Sequence, residues 1–292
     1  MKKTTVLLEN IYFGEGPRWK DGQLWLSDIF DNSVLKVDVS SGSTNKICEV
    51  DGEPSGLGWL ADGRLLVVSM KNKKVMRLED DGSLVEHADL SGIADHDTND
   101  MVVDKTGRAY VGNFGFNLQA FIKEHGREAA LAPNASLPTA KLACISPDGN
   151  VSVAADDLVF PNGCVLTDEG STLVVAETFG RRLTAFDVAS DGRLSGKRIW
   201  ADLGDVTPDG ICLDAAGAIW VADSGSNRAV RVAEGGEVLA RVETSQRCFA
   251  VALGGRDGRT LYCCTAPSSV ASDLLHARQG KIEQIQVEVP AY

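Results

Sequence analysis

The feature that most constrains this chain is a hairpin unit that recurs six times along it. Its clearest copy is TPDGICLDAAGAIWVADSG at 207–225. A lead-in pair, Asp209-Gly210, opens onto the apolar run Ile211, Cys212 and Leu213. A polar turn then closes on Gly217 before a second apolar run from Ile219 to Ala222. Two short strands joined by a tight turn follow from that pattern. The other copies open on Glu15-Gly16, Ser55-Gly56, Asn99-Asp100, Asn162-Gly163 and Phe249-Ala250, and their turns close on Gly22, Gly63, Gly107, Gly170 and Gly258.

Successive lead-ins stand 40, 44, 63, 47 and 40 residues apart, close to the roughly 40–50 residues of a four-stranded propeller blade. Most repeats supply two further strand-like runs, such as VLKVDV and TNKICEV after the first hairpin. The expected fold is therefore all-β, a six-bladed β-propeller occupying 1–292 as a single domain. The sixth repeat lacks a complete fourth strand within KIEQIQVEVP, whereas TTVLLE near the start has no blade of its own. The N-terminal strand is expected to complete the last blade and close the ring, which removes open sheet edges. The long third repeat places an insertion at about 116–139, too long for a blade turn, and a lid over one channel mouth is the expected use of it.

Composition sets limits on partners. A formal net charge of −12 disfavours nonspecific attraction to nucleic acid or an anionic membrane, and neither is expected as a partner. The stretch MKKTTVLLEN is too short in apolar residues for a signal peptide, and no run approaches the roughly 20 of a membrane span, so a cytoplasmic protein is expected. Seven cysteines, at 48, 144, 164, 212, 248, 263 and 264, form no CxxC pair and sit mostly within apolar runs. An odd number so placed indicates reduced, buried thiols.

In a propeller the first strand of each blade is innermost, so the six lead-ins ring one mouth of the channel. They are Glu15, Ser55, Asn99, Asn162, Asp209 and Phe249. Two carboxylates converging on an axis repel unless a proton or cation lies between them. Two carboxylates with two carboxamides offer oxygen ligands suited to a hard divalent cation. Asn and Asp are also ordinary turn residues. Ser55 and Phe249 occupy the same point in their own repeats, however, so the turn itself does not demand them.

The motifs GEGPRW at 14–19, TNDMVVDKTGRAYVGNFG at 98–115, FPNGCVLTDEGSTLVVAET at 160–178 and TPDGICLDAAGAIWVADSG at 207–225 together resemble the gluconolactonase, senescence marker protein (regucalcin) and luciferin-regenerating enzyme family over nearly the whole chain. The resemblance implies a six-bladed propeller with one catalytic divalent cation on the channel axis, and lactonase activity. It implies Glu15, Asn162 and Asp209 as metal ligands, with Asn99 binding the metal or the substrate beside it. Calcium is the first cation expected of such oxygen ligands, with zinc, magnesium and manganese as alternatives. Sugar-lactone members often carry arginine where this chain has Asp97. In the loop where they tend to place a glutamate, it has Phe114, Phe116 and Asn117. The pocket is therefore expected to be more apolar than a gluconolactone needs, with Asp97, Phe114, Phe116, Asn117, Phe249 and His96 contacting substrate.

The expected activity is divalent-metal-dependent hydrolysis of a small-molecule lactone or related ester. The cation would polarise the carbonyl, Asp209 would act as general base, and Asn99 would orient the substrate. Two alternatives use the same ring: hydrolysis of a phosphotriester or fluorophosphate with Asp209 as nucleophile, or a non-enzymatic binding propeller tied together by the cation. A monomer or small homo-oligomer is expected in each case.

Overall fold

The computed structural model describes residues 2–292 except 131, 133 and 134, which lie inside the expected lid insertion. Six sheets follow one another along the chain, each built from antiparallel neighbours except for one parallel pair at the outer edge of the fifth. The innermost strands are Gly14–Lys20, Pro54–Trp59, Thr98–Val103, Pro161–Thr167, Pro208–Leu213 and Arg247–Gly254. Each packs against the next, and the sixth packs against the first, so the ring is closed. The protein is a six-bladed β-propeller, as the repeat predicts.

Each blade starts as the hairpin seen in the sequence. The turn glycines Gly22, Gly63, Gly107, Gly170, Gly217 and Gly258 all have positive φ, from 70° to 95°, a region that side chains with a Cβ rarely enter. Large apolar side chains alternate onto the two faces of each sheet and fill the wedges between blades. Val174, Leu183, Ile211, Val221 and Val230 form one such wedge between the fourth and fifth blades. Ile11, Leu24, Leu26, Ala250 and Tyr262 form another between the sixth and first.

Ring closure is achieved by the N-terminal strand. Thr5–Ile11 pairs antiparallel with Gly280–Gln286 as the outermost strand of the last blade, next to Thr260–Ala266 and Arg247–Gly254. Lys2–Lys3 also pairs in parallel with the outer strand of the fifth blade, Val238–Glu243, a contact that the repeat does not predict. The chain start thus bridges two blades. Buried Glu283 fixes the crossing, accepting hydrogen bonds from the hydroxyls of Thr4, Ser245 (2.7 Å) and Thr265 (2.8 Å).

Between Asn113 and Ala140 the third blade makes its excursion. It contains the helix Leu118–His125, whose first turn is capped by Asn117: its side-chain oxygen accepts from the Ala120 amide at 2.8 Å. No helix among the described residues is long and apolar enough to cross a membrane.

Candidate active site at one mouth of the channel

A register shift interrupts the pairing of the first and second strands in all six blades, between Glu15 and Arg18, Pro54 and Leu57, Thr98 and Met101, Pro161 and Cys164, Pro208 and Ile211, and Cys248 and Ala250. Each lead-in residue therefore sits at or within a bulge. A bulge bends its strand and re-aims a side chain out of the regular alternation. Glu15, Asn99, Asn162, Asp209 and Phe249 consequently line one cavity of about 180 Å³ at the mouth of the channel. Ser55, the remaining lead-in, is buried with its hydroxyl lacking a hydrogen-bond partner and does not line the cavity.

The residue two positions before the lead-in also lines the cavity in five blades, as Phe13, Glu53, Asp97, Phe160 and Thr207. Residues that follow the second strand complete the wall, among them Phe30, Lys71, Phe114 and Phe179. Carboxylates at the ends of second strands hold these loops in place. Asp28 accepts from the backbone N–H of Phe13 at 2.9 Å, Glu177 from that of Val159 at 2.7 Å, and Asp223 from that of Thr207 at 3.0 Å. All three carboxylates are fully buried. Glu177 and Asp223 also pair with Arg182 and Arg228, both at 2.7 Å.

The electrostatics converge on Glu15. Burial, then the nearby carboxylates of Asp209 and Asp100, push its carboxyl well above the ordinary range. Arg18, on the same strand, offsets this only weakly, since its guanidinium is engaged by Asp100 at 2.8 Å and by the Leu57 carbonyl at 3.2 Å. Asn162 donates its carboxamide N–H to Thr178 Oγ1 at 3.1 Å, which leaves its oxygen as the atom available to a ligand. The carboxamide nitrogen of Asn99 is buried without a partner. Among the described residues no cluster of three or more His, Cys, Asp or Glu side chains converges as a metal site. The candidate set is instead two carboxylates and two carboxamides, an all-oxygen set whose internal repulsion fits a hard divalent cation.

Not every expected contact is made at the cavity. Phe116 stands behind the wall, 6.2 Å from Phe160 and 6.3 Å from Phe179 between ring centroids. Asn117 caps the helix, as described. His96 lies beside Asp97, 3.2 Å from its carboxylate, and does not line the cavity. Phe13, Phe160, Phe179 and the helix residues Leu118, Gln119 and Ile122 were not expected and do line it. The signal for Phe13 and Phe160 is their shared offset from the lead-in. The helix side chains had no repeat partner to betray them. A larger cavity of about 920 Å³ opens among the far ends of the inner strands, lined by Trp19, Val103, Leu166, Leu213 and Leu253. None of the lead-ins reaches it. A perturbed carboxyl with a specific charged neighbour in a cleft marks the smaller one as the candidate site.

The sequence profile described as the SMP-30/Gluconolactonase/LRE-like region matches residues 13–267. The chain belongs to this family. It is similar to regucalcin of Xenopus laevis, with 26% identity over 94% of this chain and 89% of the relative. It is similar also to the pentonolactonase XacC of Haloferax volcanii, with 26% identity over 91% of this chain and 86% of the relative. Among solved structures it resembles a calcium-binding protein, regucalcin, from Agrobacterium tumefaciens, with a TM-score of 0.77 at 21% identity, covering 99% of this chain and 97% of that one. Membership supports a lactone hydrolase role, and the structural likeness supports the fold.

Proposed function

We propose that the protein hydrolyses a small lactone, or a related ester, at the mouth ringed by Glu15, Asn99, Asn162 and Asp209. The observation that carries this is the convergence of Glu15 and Asp209 in one cavity, with Asp209 helping to raise the Glu15 carboxyl. Glu15, Asn162, Asp209 and Asn99 would hold one divalent cation. Calcium is the first to test, since one relative is described as calcium-binding. When bound, the cation supplies Lewis acidity at the lactone carbonyl.

The chain's own residues supply the rest. Asp209 takes a proton from the attacking water as its oxygen bonds to the carbonyl carbon. The ring C–O bond then breaks, and the proton passes to the departing alkoxide, giving a hydroxy acid. The unpartnered N–H group of Asn99 is a donor for the carbonyl oxygen as negative charge builds there. Thr178 keeps the Asn162 carboxamide oriented, and Asp223 holds the Thr207 backbone two residues before Asp209. The helix Leu118–His125 of the insertion serves as a cover for the site, with Leu118 and Ile122 lining the cavity.

A panel of aliphatic, aromatic and sugar lactones, assayed by acid release with calcium and with EDTA, tests the reading. Turnover that EDTA abolishes and calcium restores is expected. Chelator-insensitive turnover, or none on any lactone in calcium, would overturn it.

A further inference from the structure

Resting on the lactone-hydrolase reading of this site, we infer that the preferred substrate is a lactone bearing a short alkyl or aryl substituent, and not a polyhydroxylated sugar lactone. Two aromatic walls face the ring of oxygen ligands. On one side Phe13 packs 4.7 Å from Phe249 and 5.8 Å from Phe30 between centroids. On the other, Phe160 stacks on Phe114 at 4.5 Å and meets Phe179 edge-on at 4.9 Å.

The second wall is held in an unfavourable backbone conformation. Phe160 has φ 60°, a genuine outlier for a bulky side chain, and such strain gathers at binding and active sites. The helix above adds Leu118 and Ile122, one turn apart, to the cavity lining, and none of its residues is fully buried by the protein alone. An apolar substituent between this helix and the Phe160 wall would complete their burial.

Apart from the four proposed cation ligands and Asp97, several polar groups around the cavity are committed to protein partners. Thr178 Oγ1 accepts from Asn162, and Glu53 pairs with Lys71. Ser224 and Ser269 are likewise engaged. Several ring hydroxyls entering such a cavity would lose water without gaining partners, at about 1–3 kcal/mol for each one left unmatched. The cavity volume of about 180 Å³ lies below the roughly 300–1,000 Å³ of common ligand sites, which favours a short substituent.

The test compares γ-heptalactone and dihydrocoumarin with D-glucono-1,5-lactone and D-xylonolactone in calcium, on wild type and Ile122→Ser. In parallel, calorimetry measures binding of 5-propyl-2-pyrrolidinone and D-glucono-lactam, which resist hydrolysis. Expected is a kcat/KM about a hundredfold higher for the apolar lactones. Ile122→Ser should lower kcat/KM for them about tenfold more than for the sugar lactones, on the scale of losing one or two buried methylene contacts. Equal or inverted preference, or an equal effect of Ile122→Ser on both classes, would overturn the inference. If no lactone turns over, the hydrolase reading fails by itself. Tighter binding of the propyl lactam would then still support the apolar site, and equal or weaker binding would overturn it.

Discussion

Asp223 Oδ1 accepts a hydrogen bond from the backbone N–H of Thr207 at 3.0 Å, while its Oδ2 accepts from Arg228 Nε at 2.7 Å. The last residue of one strand thereby fixes the loop that delivers Asp209 to the cavity. Asp28 and Glu177 make the same kind of contact in the first and fourth blades, ahead of Glu15 and Asn162. Three of the four proposed cation ligands therefore follow directly on loops held by a buried carboxylate.

Asp223→Asn keeps the shape but removes the charge that faces Arg228, and its new N–H₂ must point either at Arg228 or at the backbone N–H groups of Thr207 and Gly225. A buried donor left unmatched costs about 1–3 kcal/mol, so a loss of about 2 kcal/mol in unfolding free energy is expected by urea denaturation. Lactone turnover should fall about tenfold through displacement of Asp209. Asp38→Asn, at an exposed turn, should leave stability and turnover near wild type. Unchanged stability and turnover in Asp223→Asn would show that the clamp does not matter.

Removing residues 1–11 strips the outer strand from the last blade and the pairing of Lys2–Lys3 from the fifth. It also takes the Thr4 hydroxyl from Glu283 and leaves Gly280–Gln286 as an open edge. The truncated chain should associate through that edge in size-exclusion chromatography and lose at least about 5 kcal/mol, a third or more of the stability of a typical domain. A monodisperse protein with native thermal stability would refute this role.

His87 gives stability a pH dependence of defined sign. Burial, then Arg77 and Arg64, hold its imidazole below its ordinary pKa. The unfolded chain therefore takes up the proton first as pH falls through about 6.5. The contribution of His87 is full above that pH and declines below it, until the folded protein also protonates. The stability advantage of wild type over His87→Gln should shrink between pH 7.5 and pH 5.5 in paired urea titrations. An advantage that stays constant or grows would contradict the assignment.

Much of this was legible in the sequence because it repeats. Six lead-ins and six turn glycines fixed the blade count, and the missing outer strand of the last repeat pointed to TTVLLE. Glu15, Asn99, Asn162 and Asp209 were found as one set because each occupies the same point of its repeat. What brings them together, a bulge at every lead-in, left no mark in composition, since it arises from strand pairing across the hairpin. Phe116 and Asn117 were read as substrate contacts from their place after GNFG, yet one backs the aromatic wall and the other caps the helix. The parallel pairing of Lys2–Lys3 depends on how the chain crosses between blades, which no local pattern encodes. Leu118 and Ile122 lie in an insertion without a repeat partner, where periodicity offered no guide.

The most direct measurement is turnover of the best lactone by Asp209→Asn at saturating cation, with cation binding followed by calorimetry in the same preparations. If Asp209 is the general base, the variant should fill its site at raised calcium and still turn over about a hundredfold or more slowly than wild type, the scale on which a positioned base acts. Recovery to near the wild-type rate once the cation is saturating would contradict that role and leave Asp209 as a ligand alone.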